Sequence, residues 1–241
     1  MTEDCKYITD YLGCGYELFE EETDGKRIAA RWRELSGQGA QEGFFPLIIP
    51  VSDTLSEQLY FALEDAGLPD EPSPENAKIV RDGILAKARE ADPAAILKPL
   101  VEEDYGQFVS PGPGDPGGEF HGYMFGRRPY PEILIAKIPA SAPWELPAWV
   151  PMGGFNDCPQ AADQVAAFRY WHEGYGAVPA CVTYEIWELN VPYPPRTEEA
   201  AMALAVEQFA FCQDIVWQGM ETVGALAGFL KGATSWYFWW D

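Results

Sequence analysis

Apolar and polar positions along the chain follow two periods, and the switches between them mark the elements. Residues 44–51, F-F-P-L-I-I-P-V, form a short apolar run bounded by prolines, the pattern of a buried strand. Ser52 or Asp53 then caps a predicted helix over 54–64, in which Leu55, Leu59 and Leu63 fall on one stripe. A further helix is predicted from Ser73-Pro74-Glu75, with Ile79, Leu85 and Ala88 turned inward, and another from Asp92-Pro93. Upstream, E-L-F-E-E-E (17–22) and K-R-I-A-A-R-W (26–32) read as two strands joined at Asp24-Gly25, a common hairpin turn pair.

Residues 106–118, G-Q-F-V-S-P-G-P-G-D-P-G-G, hold glycine and proline at a density that sustains neither helix nor strand. The segment lacks a Gly-Lys-Ser/Thr ending, so it is not a phosphate-cradling loop. It divides the chain into an α+β region at 1–106, a loop or linker at 107–118 and a second domain at 119–241. In that domain 132–138, E-I-L-I-A-K-I, reads as a strand, and 147–152, P-A-W-V-P-M, as a shorter extended piece. A helix is predicted to start at Cys158-Pro159, to carry Val165, Phe168 and Trp171/His172 on one stripe, and to stop at Gly174 or Gly176. Residues 180–191 alternate at strand period, with Val182, Tyr184 and Ile186 on one face. Thr197 caps a helix to about Gln213, another covers about 220–231, and the aromatic end closes as a strand. The order β-(β)-α-β-α-α-β implies an α+β fold, a mixed sheet with helices packed on it.

With 241 residues, 47% of them hydrophobic and 14% aromatic, the chain has ample material for a core. No apolar run reaches the roughly 18–20 residues that span a bilayer, and the N-terminus lacks a basic stretch followed by an apolar one. The expectation is a soluble, cytoplasmic protein. Five scattered cysteines (Cys5, Cys14, Cys158, Cys181, Cys212), none in a C-x-x-C pair, do not form a disulfide framework. With only His121 and His172 beside them, no metal site is expected, and no cofactor motif is present. Charge changes the picture most: 16 basic against 38 acidic residues leave a net −22. Such a surface repels phosphate backbones and anionic lipid, which disfavours nucleic acid and membranes as partners. It either captures a basic protein or is a solvated, highly soluble surface.

Four motifs follow one another in the second domain: G-G-F-N-D-C-P (153–159), Y-W-H-E-G-Y-G-A (170–177), A-V-E-Q-F-A-F-C-Q-D-I-V-W-Q-G (205–219) and the closing W-Y-F-W-W-D. In this order and with these gaps they resemble the bacterial family catalogued as domain of unknown function 4253, over roughly residues 130–241. The resemblance implies no activity, substrate or cofactor. It directs attention to Asn156, Asp157, Cys158, Glu207, Gln208, Cys212, Asp214, Gln218 and Asp241, which stand at the motif positions.

Cys158, at a predicted helix N-terminus with Asn156 and Asp157 beside it, has a setting that favours thiolate over thiol. A nucleophile also needs a base. His172 lies about 14 residues along the same helix, roughly 20 Å away at 1.5 Å per residue, too far for a direct pair. The simpler reading makes Asn156, Asp157 and Cys158 a turn that orients the helix, and His172 a core or boundary histidine. Glu207, Asp214 and Gln218 would share one face if their helix continued, lining a polar cleft. Two turns, about 10 Å, separate the two carboxylates, too far to share one ion. Hydrogen bonds tying the 214–219 turn to neighbouring backbone are the simpler reading there.

The chain has no Gly-x-Ser-x-Gly elbow, His-Glu-x-x-His pair or dinucleotide fingerprint. The leading expectation is therefore a non-enzymatic acidic interaction module, immunity- or antitoxin-like, that binds a basic partner. The rival is a hydrolase-type enzyme with a Cys158-centred site, Asp157 beside it, or a Glu207/Asp214-lined one, and with Asn156, Gln208 and Gln218 as binding residues. The terminal S-W-Y-F-W-W-D places apolar side chains on both faces of a strand. It is expected to be an interior core strand, its Tyr237 and indole N–H groups hydrogen-bonded, and far from any site.

Overall fold

A computed structural model gives the structure of the protein and describes residues 1–98, 105–112 and 118–241. Residues 113–117 of the Gly/Pro segment expected at 107–118 lie outside the described residues.

Helix α1 (Glu3–Leu12), capped by Thr2, leads into β1 (Gly15–Glu20). The hairpin expected at Asp24-Gly25 is instead a helix start: the Asp24 carboxylate accepts from the Lys26 N–H, and α2 runs Gly25–Glu42. The period explains the difference. Ile28, Ala29, Trp32 and Leu35 recur three and four apart and are buried together, which the twofold alternation of a strand forbids. β2 (Phe45–Pro50) is the buried strand, and Ser52 caps α3 (Asp53–Asp65) with Leu55, Leu59 and Leu63 inward. α4 (Pro74–Glu90) starts at Ser73 as predicted but turns Ala77 and Val80 to the core, leaving Ile79 exposed. Its inward stripe runs through 77, 80 and 84, and residue 79 sits about 100° of rotation from 80. α5 (Pro93–Ile96) is one turn capped by Asp92.

Two short strands, β3 (Met124–Phe125) and β4 (Arg128–Pro129), pair ahead of β5 (Glu132–Ile138). The first half of the extended piece expected at 147–152 is helical: a 3-10 turn at Pro143–Glu145 runs into α6 (Leu146–Trp149), both with proline in the first turn, where the missing N–H does no harm, while 150–152 lie outside the helix. α7 begins only after Cys158-Pro159, at Ala161, and runs Ala161–Tyr175 to a left-handed Gly176. The single strand expected at 180–191 is a hairpin, β6 (Val178–Val182) and β7 (Ile186–Asn190). Its turn contains no Gly or Asn, because Thr183 Oγ1 accepts from the N–H groups of Glu185 and Ile186 at 3.2 and 3.0 Å. α8 (Glu198–Phe211), a π-helical turn (Ile215–Met220), α9 (Val223–Leu230) and β8 (Ser235–Trp239) complete the chain. Leaving out the short turns, the order from β5 is β-α-β-β-α-α-β; the extra strand follows the long helix rather than preceding it. The fold is α+β.

One six-stranded mixed sheet runs β1-β5-β2-β6-β7-β8, with every neighbour antiparallel except the pair β2–β6. It draws strands from both sides of the 107–118 segment. The larger core lies on one face, where α1, α3, α4 and α7 cover Leu47, Leu134, Trp187 and Phe238. The smaller core lies on the other, where α2 packs Ile28 and Trp32 against Ile48, Ile133 and Phe120. β8 is therefore an edge strand and not the interior one expected. Trp236, Phe238 and Trp240 are fully buried on the larger-core side, whereas Tyr237 is 41% exposed on the other. The indoles of Trp171 and Trp187 donate to Glu207 and Gln164, but those of Trp236 and Trp240 find no partner among the described residues, contrary to expectation. Apolar area outweighs the lost hydrogen bond at both positions.

A glycine pair in α9 has a steric cause. Residues 105–109 lie across the helix without regular structure of their own: Gly224 donates to the Tyr105 carbonyl and Val109 to the Gly224 carbonyl. A Cβ on Gly228 would sit 1.6 Å from the Val109 carbonyl oxygen, and one on Gly224 would sit 1.9 Å from that of Gln107. Gly228→Ala should therefore destabilise the fold by about 1–3 kcal/mol. Gly83→Ala, inside α4 with open space around it, should stabilise by about 0.5–1 kcal/mol. Urea midpoints of the two variants check the contrast.

Candidate functional site

Alternation along β7 and β8 sends Trp187, Leu189, Trp236 and Phe238 into the larger core. It sends Ile186, Glu188, Ser235, Tyr237 and Trp239 to the opposite face. That face is not closed by α2. It forms one wall of a cavity of about 650 Å³, whose other walls come from the π turn (Ile215, Met220), from α9 (Leu226, Phe229, Leu230) and from Met124. The walls are mostly apolar, and a few polar groups converge on the space: Glu188, Gln208, Asp214, His121 and Tyr237. Volume and lining are those of a small-molecule pocket.

Glu188 is 2% exposed. Its two carboxylate oxygens each accept one backbone N–H, from His121 at 2.7 Å and from Gly122 at 2.8 Å. Glycine eases that approach, since a Cβ at 122 would stand 3.0 Å from Glu188 Oε2 and 3.1 Å from Cys181 Sγ, and one of them would have to give by a few tenths of an ångström. Burial raises the Glu188 carboxyl to about 7, and the two N–H donors pull the other way. Cys181 beside it is fully buried, its thiol also pushed up. Gln208, on α8, is 1% exposed, and its Nε2 has no hydrogen-bond partner among the described residues. A π turn inside otherwise α-helical chain often marks a functional site, and here it borders the cavity. Glu221, which ends it, holds φ at 65°, a strained value for a non-glycine residue.

The raised Glu188 carboxyl makes stability depend on pH. Between about pH 4.5, the unfolded value, and about 7, the folded chain keeps a proton that the unfolded chain has lost. The contribution is full below the lower value and is lost as pH rises through the upper one, up to about 3 kcal/mol in all. Glu188→Gln should flatten the stability profile over that window, which denaturant titrations at pH 5, 6, 7 and 8 would read.

The residues singled out by sequence fall into three places. Cys158 lies outside α7, 5% exposed, with Sγ near Met152 Sδ and Gln164 Nε2 at 4.0 and 3.8 Å; burial drives its thiol strongly upward. Gln164 holds this loop, donating to the carbonyls of Met152 and Pro159 while accepting from Trp187. Glu207 joins α7 to α8, accepting from Tyr170 Oη and Trp171 Nε1 at 2.9 and 3.1 Å. His172 packs against Trp144, with Nδ1 2.9 Å from the Ala177 carbonyl.

A second group gathers at Asp241. Asn156, in a left-handed turn (φ 46°), donates to the Asp241 carbonyl, and the Asp241 N–H donates to Asp214. Gln218 donates to both aspartates, and Asp157 is exposed nearby in the chain. Cys212 Sγ reaches the Trp239 carbonyl at 3.0 Å, and burial raises that thiol to about 12. α8 ends at Phe211, so Glu207 parts from Asp214 and Gln218.

Only Gln208 and Asp214 of the singled-out motif residues line the cavity; Cys158 and Glu207 do not. Among the described residues no group of three or more His, Cys, Asp or Glu side chains is placed to hold a metal ion, and no helix is long and apolar enough to cross a membrane. Glu188, Tyr237 and Trp239 were missed. Their signal was a lone acid between Trp187 and Leu189 in a strand, and the second face of the aromatic tail.

No curated protein and no solved structure matches the chain. Residues 134–241, from within β5 through Asp241, match the family model described as Domain of unknown function (DUF4253).

Proposed function

We propose that the protein is a small-molecule-binding module whose site is the cavity between β7–β8 and α9. The observation that carries this reading is the buried, unpartnered Gln208 amide at the same apolar cavity as the buried Glu188 carboxyl. A buried donor without a partner costs about 1–3 kcal/mol, which a bound acceptor recovers. Nile red, a neutral dye that brightens in apolar surroundings, tests the site. Its emission should rise and shift to the blue with the intact protein. Met220→Trp, which projects a larger ring into the cavity from a half-buried position, should weaken the change while far-ultraviolet circular dichroism stays the same. Dye affinity unchanged by that substitution, or no uptake at all, removes the proposal.

The net charge of −22 supports a second reading, an acidic surface that captures a basic protein. Capture of a basic partner from lysate should weaken steeply between low and physiological salt. Recovery of no partner at low salt counts against it. The five free cysteines fit residence in a reducing, cytoplasmic compartment.

A further inference from the structure

We infer that the ligand of the cavity is a protonated amine carried on an apolar body, its ammonium group held by Glu188; this rests on the binding-module reading above. Three carboxylates, Glu119, Glu188 and Asp214, line the space, and among the described residues no Lys or Arg does. An anionic ligand would therefore add charge of the same sign at a desolvated site, whereas a cation neutralises it. Each Glu188 oxygen spends one lone pair on a backbone N–H and keeps another. An ammonium group supplies the N–H donors those positions accept; a quaternary ammonium group has none. Tyr237, Trp239 and Phe229 line the cavity, and aromatic rings attract a cation. Gln208 Nε2 adds a demand of its own, an acceptor oxygen on the ligand.

Proton balance gives a second signature. Ion pairing requires Glu188 ionised, so at pH 6 the incoming ammonium displaces a proton from that carboxyl to the buffer, and affinity rises toward pH 8. Cys181 on β6, Tyr237 on β8, His121, Gly122 and Tyr123 ahead of β3, Glu119 before them and Asp214 before the π turn are the groups around it. Burial pushes Cys181 and Tyr237 upward, so neither ionises in this window.

The test is displacement of Nile red at pH 8 by octylamine, octanol, octanoate and octyltrimethylammonium. Octylamine should bind at least about tenfold more tightly than octanol or the quaternary amine, and octanoate should not compete. Glu188→Gln should erase the preference for octylamine over octanol. Octylamine binding at pH 6 should release protons, read as a heat that varies with buffer ionisation enthalpy. Equal binding of amine and alcohol, or stronger binding of octanoate, overturns the amine assignment and leaves the cavity reading intact. Absence of dye uptake overturns both. If Glu188→Gln fails to fold, the four-ligand series and the proton release on the unaltered protein still decide.

Discussion

A chain lacking residues 236–241 should not fold. Trp236, Phe238 and Trp240 are each fully buried, and each stacks or packs edge-on with other rings, including Trp171 with Trp236 and Phe238, and Phe211 with Phe238 and Trp240. Removing one buried aromatic ring costs about 3–5 kcal/mol. Losing three removes about 10 kcal/mol, comparable with the whole stability of a typical domain. The deletion also exposes the edge of β7 and frees the Asp214 and Asn156 contacts to Asp241. The expected outcome is insoluble product, or soluble product with no cooperative thermal transition. Tyr237→Ser on the same strand is the contrast: that side chain is 41% exposed, and the variant should fold with a stability change below about 1 kcal/mol. A truncated protein that melts cooperatively would show that β8 is dispensable.

Much of the fold was legible because several elements carry their own local signals. Ser52, Ser73 and Thr197 are side-chain caps, and each begins the helix it predicts. β2 announces itself as an apolar run between polar flanks. The misreadings arose where a short local signal competed with a longer period. Asp-Gly at 24–25 looks like a hairpin turn, yet the buried positions of 28–35 follow helical spacing, and Asp24 serves as a cap. At 183–185 the opposite happened: a turn made by a threonine hydroxyl left no glycine to see, so two strands read as one.

The candidate site was far less legible, for a physical reason. Its residues come from β7, β8, α8, the π turn and α9, and nothing in their spacing says that an edge strand meets a helix pair across a cavity. The motif positions mark mainly packing. Asn156, Asp214 and Gln218 fasten Asp241, and Cys158 lies under Gln164. The tail judged furthest from function turns one face to the core and the other to the cavity. Aromatic residues on both faces of a strand suggest double burial. They equally describe a strand with one buried face and one ligand-facing face.

The fragment 119–241, expressed alone, should be unfolded even though it contains all of the matched family segment. β5 pairs only with β1 and β2, and β6 pairs with β2 on one side, so removing residues 1–106 leaves β5 without a neighbour and opens the middle of the sheet. The larger core loses Ile8, Leu47, Leu55, Leu59 and Leu63; the smaller loses Ile28, Trp32, Leu35 and Ile48. At about 1.5–3 kcal/mol for each buried aliphatic or aromatic side chain, the deficit exceeds what one domain can absorb. β7, β8, α8 and α9 still contact one another in sequence, yet the trunk of the sheet that holds them is gone. The fragment should show collapsed amide dispersion in a proton–nitrogen correlation spectrum and no sigmoidal urea transition. A dispersed spectrum with a cooperative transition would establish instead that β5 finds another edge, and that the Gly/Pro segment separates two folding units. The physical expectation is the reverse, because the strand that joins the halves, β2, lies at the centre of the sheet and comes from the half outside the family match.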